Sequence, residues 1–144
     1  MTDFADIDRI VDRYADAVYR KDEAAFLALY TEDVVVFDMW DQWSYVGRDA
    51  WAQAVRAWFG SLGEERIAVK FTPTLARVDG DSAFQAMTVR YTALNAVGET
   101  LRAMDNRLSW SLRRRDGLWT IAHEHSSAPT SAETLKVSLT APTG

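Results

Sequence analysis

The chain has 144 residues, no cysteine and a net charge of −5. The absence of cysteine excludes disulfides, thiolate metal sites and cysteine nucleophiles, and the acidic balance is opposite to the basic surface of a nucleic-acid binder. No apolar run reaches the length of a membrane span, and the acidic N-terminus is unlike a signal peptide. We therefore expect a cytoplasmic protein with neither a nucleic-acid nor a membrane partner.

Three helices are predicted in the first part of the chain. Residues 3–20 carry apolar side chains at helical spacing. Asp22 is expected to cap a short second helix whose apolar face reaches Tyr30. A third helix is predicted over about 49–59, because its aromatic residues form one stripe and Gly60 follows as a stop.

The remainder of the chain is predicted to form strands, and the order of elements indicates an α+β fold. We expect three N-terminal helices packed on a curved, mainly antiparallel sheet that encloses a pocket, in one domain over residues 1–129. Residues 130–144 are rich in Ser, Thr and Pro and are expected to form a loosely ordered tail. The expected strands span residues 34–37, about 67–71, 82–94, 100–113 and 118–127.

Aromatic residues are unusually frequent, with six Trp, five Tyr and six Phe. They favour a pocket for a small apolar organic ligand, although an aromatic core without a ligand is equally consistent with the composition. Trp40 and Trp43, in an irregular segment over residues 38–47, are candidate substrate contacts at the rim, and Trp58 of the third helix is a third. Their alternative role is packing against that helix.

Asp38 and Tyr14 are candidate catalytic residues. Asp38 follows Val34 and Val36 at the period of a strand, so we expect the three side chains to share a face. At a cavity wall the carboxylate would be partly desolvated, which raises the pKa toward useful base strength; the alternative is a cap at the strand end. The ring of Tyr14 is expected in the core, where its hydroxyl needs a ligand or an internal partner.

The two histidines lie near the end of the last predicted strand. If that strand is regular, His123 and His125 share the face of Ile121 and point into the pocket. His123 is then a candidate general base and His125 a candidate substrate contact. Metal binding would need a carboxylate as third ligand, and we expect no metal; hydrogen bonds to pocket carboxylates or a structural role are the alternatives.

Asp105 and Arg107 are further candidate substrate contacts. They share a strand face with Ser109, and if that face is interior, Arg107 must pair with a carboxylate. If the face is exterior, it is a solvated surface, and the apolar row that contains Trp110 lies inside. Because both rows can be covered, the pattern also favours a homodimer through the sheet faces.

These residues resemble one known family. Over about residues 4–129 the chain resembles ketosteroid isomerase and its SnoaL-like relatives, within the nuclear-transport-factor-2-like (NTF2-like) superfamily. The resemblance depends on Arg13-Tyr14, Asp22, Leu29-Tyr30, Asp33, Asp38 and Gly47, and on the stretch Asp116-Gly117-x-Trp119-x-Ile121-x-His123-x-His125-Ser126 with Pro129 after it.

The resemblance implies roles for two of these residues. Asp38 matches the carboxylate that moves a proton next to a carbonyl in the isomerases, and Tyr14 matches the tyrosine that donates a hydrogen bond to the developing oxyanion. The isomerases place a second, protonated acid at a position that matches a site near Ser109. This chain has no acid there, and Asp105 lies four residues away.

We therefore expect a pocket protein that moves a proton on a small apolar substrate, either carbonyl-bearing or cyclic. It would be an isomerase, cyclase or hydrolase with an Asp or His base. No cofactor is expected, because the sequence has no phosphate-binding glycine loop, nucleophile elbow or dinucleotide fingerprint. The alternative is a non-catalytic ligand-binding or oligomerisation domain of the same fold.

Overall fold

The computed structural model describes residues 3–143, and the side chains of residues 6–143. Residues 1, 2 and 144 of the predicted domain and tail lie outside the described residues. None of the helices in the described part is long and apolar enough to cross a membrane. The elements are α1 (Asp3–Arg20), α2 (Glu23–Leu27), β1 (Tyr30–Phe37), β2 (Tyr45–Val46), α3 (Arg48–Ser61), β3 (Arg66–Asp79), β4 (Ser82–Leu94), β5 (Thr100–Arg115) and β6 (Leu118–Ser127).

The six strands form one sheet in the order β2-β1-β6-β5-β4-β3. All neighbouring strands are antiparallel except β1 and β6, which are parallel. The helices pack on the sheet, with α1 against β3 and α3 against β1, around a core whose largest fully buried side chains include Trp110, Tyr30 and Phe26. The predicted arrangement of helices on a curved, mainly antiparallel sheet is confirmed.

Local signals set the helix ends. The Asp22 carboxylate accepts a hydrogen bond from the N–H of Ala25 at 3.0 Å, which confirms the predicted cap of α2. That helix is shorter than predicted, and Tyr30 instead begins β1 because the chain there already pairs with β6. Gly60 does not end α3; the chain turns away at Gly63, whose φ of 58° is a left-handed conformation that glycine adopts without strain.

Strand β6 contains an irregularity that decides which residues face inward. Ser111 of β5 pairs with His123. The next residue, Leu112, pairs with Ile121, so Ala122 is an extra residue, a β-bulge. Because side chains alternate with period two, one extra residue exchanges the two faces of the strand beyond it. The residues after Ala122 therefore point to the opposite side from that expected of a regular strand.

The C-terminal residues 128–143 fold back onto β5. The N–H of Asp105 donates to the carbonyl of Leu139 at 2.7 Å, and the Asp105 carboxylate accepts from the N–H of Ala141 at 2.7 Å. An isolated antiparallel bridge joins Thr130 to Val137. The mobility of the tail stays a prediction, but its last residues have defined contacts with the domain.

Candidate functional site

A cavity of about 910 Å³ lies among α3, the loop that follows β1 and the sheet. Its size and its mainly apolar, aromatic walls suit a small organic molecule. The aromatic wall residues are Tyr14, Trp40, Tyr45, Trp51, Trp58 and Tyr91. Acidic, amide and hydroxyl groups also reach this space, from Asp38, Asp41, Gln42, Gln53, Ser61, Asn106, Glu124 and Ser126.

Asp38 lies on the cavity wall, where the first strand ends. Its carboxylate accepts a hydrogen bond from the Ser126 hydroxyl at 3.1 Å, and that hydroxyl accepts one from the N–H of Met39 at 2.9 Å. Partial burial raises the pKa of Asp38, and the Ser126 hydrogen bond opposes this by stabilising the charged form. The side chain is therefore held in one orientation by neutral donors, and burial is the largest cause of its pKa shift, as suits a general base.

Tyr14 contributes another polar group to the cavity lining. Its hydroxyl lies 3.0 Å from the hydroxyl of Tyr91, and burial is the largest cause that raises the pKa of both phenols. Both groups therefore remain neutral hydrogen-bond donors at physiological pH. Only one of the two donates within the pair, so the other hydroxyl hydrogen needs a further acceptor, which Asn106 beside Tyr91 or a ligand can supply.

Glu124 is the cavity residue that sequence reasoning missed. It is 2% exposed, and its Oε1 accepts hydrogen bonds from the Tyr30 hydroxyl at 2.6 Å and from Trp110 Nε1 at 2.9 Å. Burial, together with the charge of Asp38, raises the pKa of Glu124 to about 7, although both hydrogen bonds act in the opposite direction. A buried carboxyl group that titrates near neutrality is typical of functional sites.

The expectation that His123 and His125 point into the pocket is wrong. Neither side chain lines the cavity. The bulge at Ala122 places both imidazoles on the outer face, where the ring of Phe37 contacts each of them edge-on at centroid distances of 5.0 and 5.5 Å. His123 Nδ1 also donates to the Val35 carbonyl at 2.6 Å.

Asp105 and Arg107 do not contact the cavity either. Asp105 pairs with Arg90 through two hydrogen bonds of 2.9 Å, and Arg107 donates to the Ser127 hydroxyl at 3.0 Å on the exposed surface. The row of Asp105, Arg107 and Ser109 therefore lies on the outer face of β5, because Asn106 and Leu108 face the cavity. The row is not a fully solvated surface, since the C-terminal tail covers Asp105.

The three candidate tryptophans have different positions. Trp58 of α3 and Trp40 of the loop line the cavity, as expected. Trp43 does not, and its side chain is 96% exposed. The loop over residues 38–44 has no repeating geometry, and Asp41 adopts a left-handed φ of 65°, so the direction of Trp43 could not be extrapolated from its neighbours.

Two polar atoms of cavity residues are buried without a hydrogen-bond partner among the described residues. They are Trp51 Nε1, a donor, and Asn106 Oδ1, an acceptor. Such groups cost free energy unless a ligand or water satisfies them. Within residues 3–143, no three His, Asp or Glu side chains are grouped so that they could hold a metal ion.

The C-terminal tail completes one side of the cavity. Leu139 belongs to the lining, and the carbonyl of that residue is held by the N–H of Asp105. Asp105, predicted as a substrate contact, does not itself line the cavity. It holds the segment that contains Leu139, which does.

Comparison with known proteins agrees with this architecture. The family model described as SnoaL-like domain matches residues 7–131, and no curated protein matches the chain. An NTF2-like protein of unknown function from Pseudomonas putida KT2440 is 24% identical, with a TM-score of 0.79 and 99% of each chain covered.

Two further solved structures carry more specific descriptions. A ketosteroid isomerase-like protein from Erwinia carotovora atroseptica SCRI1043 is 24% identical, with a TM-score of 0.68, 85% of this chain covered and 93% of that chain. A putative calcium/calmodulin dependent protein kinase II association domain from Xanthomonas campestris is 20% identical, with a TM-score of 0.70 and 90% and 89% covered. At these identities the structures establish the fold alone, whereas the family model covers most of the sequence. The chain therefore belongs to the family of SnoaL-like domains, in the NTF2-like fold.

Proposed function

We propose that this protein is an enzyme that moves a proton on a small, largely apolar substrate, either carbonyl-bearing or cyclic, without a cofactor. The observation that carries the proposal is the carboxylate of Asp38 on the wall of an aromatic cavity, oriented by Ser126 and raised in pKa by burial. A base of this kind is partly desolvated, which raises its pKa and increases its strength as a base.

The chemistry follows from the positions of two groups. Asp38 takes a proton from the carbon next to a carbonyl of the bound ligand. The free hydroxyl hydrogen of the Tyr14–Tyr91 pair stabilises the negative charge that develops on the carbonyl oxygen. Return of the proton to the same carbon gives exchange, and return to another carbon gives isomerisation. In a substrate with a second carbonyl group, the carbanion can instead attack that carbonyl carbon and close a ring, and the proton then goes to the oxygen of the attacked carbonyl group.

Deuterium exchange tests this proposal even while the natural substrate is unidentified. Cyclic ketones of increasing size, from cyclohexanone to 2-decalone, are incubated with the protein in D₂O, and deuterium at the carbon next to the carbonyl is followed by mass spectrometry. We expect catalysed incorporation with at least one ketone of a size that fits the cavity. Asp38→Asn should reduce the rate by about two to four orders of magnitude, the usual contribution of a general base.

His125→Gln is the matched control, because His125 lies at the end of the neighbouring strand but on the opposite face. It should leave the exchange rate unchanged. Asp38→Asn with undiminished exchange would eliminate Asp38 as the base. Ketone binding without exchange would favour the non-catalytic ligand-binding alternative.

We also propose a homodimer through the outer face of the sheet. Phe37 and Phe84 are 40% and 39% exposed there, and they offer apolar surface that a second copy of the sheet can cover. Light scattering should then give twice the chain mass of 16.2 kDa. A monomer mass over a wide concentration range would contradict the dimer.

A further inference from the structure

A second, smaller cavity of about 320 Å³ lies between α1 and the strands β3 and β4. We call it the α1–β3 groove; its lining includes Asp8, Val11, Asp12, Phe71, Gln85 and Met87. Among the described residues, the groove and the main cavity share no lining member. The ring of Phe71 contacts that of Tyr14, a residue of the main cavity, edge-on at a centroid distance of 5.3 Å. Aromatic packing therefore lies between the two spaces.

Gln85 is a polar residue in an otherwise apolar row that lines this groove. Ala83, Gln85, Met87 and Val89 alternate along β4 as its buried residues. Gln85 is 3% exposed, and its Oε1 has no hydrogen-bond partner among the described residues. A buried acceptor of this kind costs free energy unless a ligand or water satisfies it. The groove therefore holds an acceptor that the fold itself does not use.

The helix side of the groove is acidic. Asp8 and Asp12 are four residues apart on α1 and so lie on one face of that helix. Both are exposed residues of the groove lining, and neither has an ion-pair partner among the described side chains. Lys70 also belongs to the lining, but strand alternation directs its side chain to the outer face together with Arg90, its neighbour across the strand pair. The charged side chains directed at the groove are therefore carboxylates.

We propose that the α1–β3 groove binds a small organic cation, a primary ammonium group attached to a short apolar chain or ring. One N–H donates to Gln85 Oε1, and the positive charge faces the two carboxylates of α1. The apolar part contacts Val11, Phe71 and Met87. An ammonium group has three donors and no acceptor, which suits one amide oxygen and two carboxylates. This site is separate from the main cavity and does not depend on the proposed function.

The other occupants of such a groove use only part of its chemistry. An anion would be repelled by Asp8 and Asp12. Water can satisfy Gln85 Oε1, but it gains nothing from the apolar wall. The partly buried ring of Phe71 also favours a cation, because the face of an aromatic ring attracts positive charge.

The test is an NMR titration with benzylamine at pH 7, where the probe is an ammonium ion. We expect chemical-shift changes at the side-chain amide of Gln85 and at the backbone amides of Val11 and Phe71. Two probes with the same ring separate the contributions. Benzyl alcohol keeps a donor without the charge, and benzyltrimethylammonium keeps the charge without a donor, so each should bind severalfold more weakly. Benzoate should leave these resonances unchanged.

Two variants and a matched control locate the site. Gln85→Leu removes the acceptor from an otherwise apolar row and should weaken benzylammonium binding about tenfold, as followed at Val11 and Phe71. Asp12→Asn should weaken it severalfold at low salt and less at high salt, because salt screens exposed charges; this variant also serves if Gln85→Leu fails to fold. Asp16→Asn is the control. Asp16 lies one turn further along α1, pairs with Arg20 and is outside the groove lining, so its variant should bind as the wild type does.

The possible outcomes are distinct from those of the deuterium-exchange experiment. Equal binding by the wild type and Gln85→Leu, or the absence of any shift at Gln85, would overturn the site whether or not exchange occurs. Benzyl alcohol or benzoate that binds as tightly as benzylammonium would reject the cationic ligand. Shifts confined to residues of the main cavity, such as Ala54 and Ala103, would place the amine there and would also overturn the inference.

Discussion

Two carboxyl groups on neighbouring strands, Asp105 and Glu124, have similarly low solvent exposure, 5% and 2%. Their pKa values are nevertheless shifted in opposite directions. Arg90 and the N–H of Ala141 hold the pKa of Asp105 below its ordinary value. Glu124 has only neutral donors, and burial raises its pKa to about 7. Glu124 lies deep in the core, whereas Asp105 is covered by the C-terminal tail and pairs with the half-exposed Arg90. The greater depth of Glu124 and the cation beside Asp105 both contribute to the opposite shifts.

The two faces of the sheet therefore carry carboxyl groups in different electrostatic surroundings. On the outer side, an ion pair fixes the C-terminal tail. On the cavity side, Asp38 is close enough to Glu124 for its charge to raise the pKa of Glu124, and burial is the largest cause that raises the pKa of both groups. The same contrast predicts that the two regions respond to pH in opposite directions.

The largest predicted effect is on the pH dependence of stability and involves Glu124. Its folded pKa of about 7 lies above the ordinary value of 4.5, so the folded state retains a proton that the unfolded state has lost. Stability should therefore fall as pH rises from about 4.5 to about 7, by roughly 3 kcal/mol in total. Glu124→Gln should abolish this decline, as measured by urea unfolding at a series of pH values.

Glu64→Gln serves as the control for the loss of one negative charge, and it should follow the wild-type curve. If Glu124→Gln retained the whole decline between these pH values, the pKa of Glu124 would not be raised in the folded state, and the contrast with Asp105 would not hold.

A smaller effect of opposite sign is predicted for Asp105. Its pKa is lowered in the folded state, so its contribution is present above the unfolded pKa and is lost as pH falls through the folded value. Asp105→Asn should cost about 1 to 2 kcal/mol near pH 7, because Arg90 is half exposed and water partly replaces the carboxylate. The difference from the wild type should disappear at low pH.

Hydrogen exchange adds a local measurement to that prediction. The amide of Ala141 should exchange faster in Asp105→Asn, while amides in the centre of β4 remain protected, because only the tail depends on this carboxylate. Equal protection of Ala141 in both proteins would show that other contacts hold the tail.

Part of the site could be predicted from the sequence because its residues lie on regular elements, where the direction of each side chain follows from its position along the strand or helix. Asp38 continues the inward alternation of Val34 and Val36 to the strand end, and Tyr14 lies on a long amphipathic helix. Both side chains line the cavity, and the resemblance to ketosteroid isomerase pointed to the same two residues.

Glu124 and the histidines were not placed correctly because one residue, Ala122, shifts the register of β6. The alternation of side chains along a strand does not reveal where a bulge lies, because the extra residue is defined by the pairing with β5. The available signal was that Glu124 is the single acidic residue of its strand, between two histidines. Trp43 lies in a loop without any period, so its exposure was not predictable.

The contrast between the two carboxyl groups can be measured directly by an NMR titration of the side-chain carboxyl carbons in the folded protein, with Glu124→Gln and Asp105→Asn used to assign the two resonances. We predict that the Glu124 carboxyl group titrates with a midpoint of about 7, and that the Asp105 carboxyl group titrates below the ordinary value of 3.8. A Glu124 resonance that titrates at or below 4.5 would contradict the claim that burial keeps this carboxyl group partly protonated near pH 7.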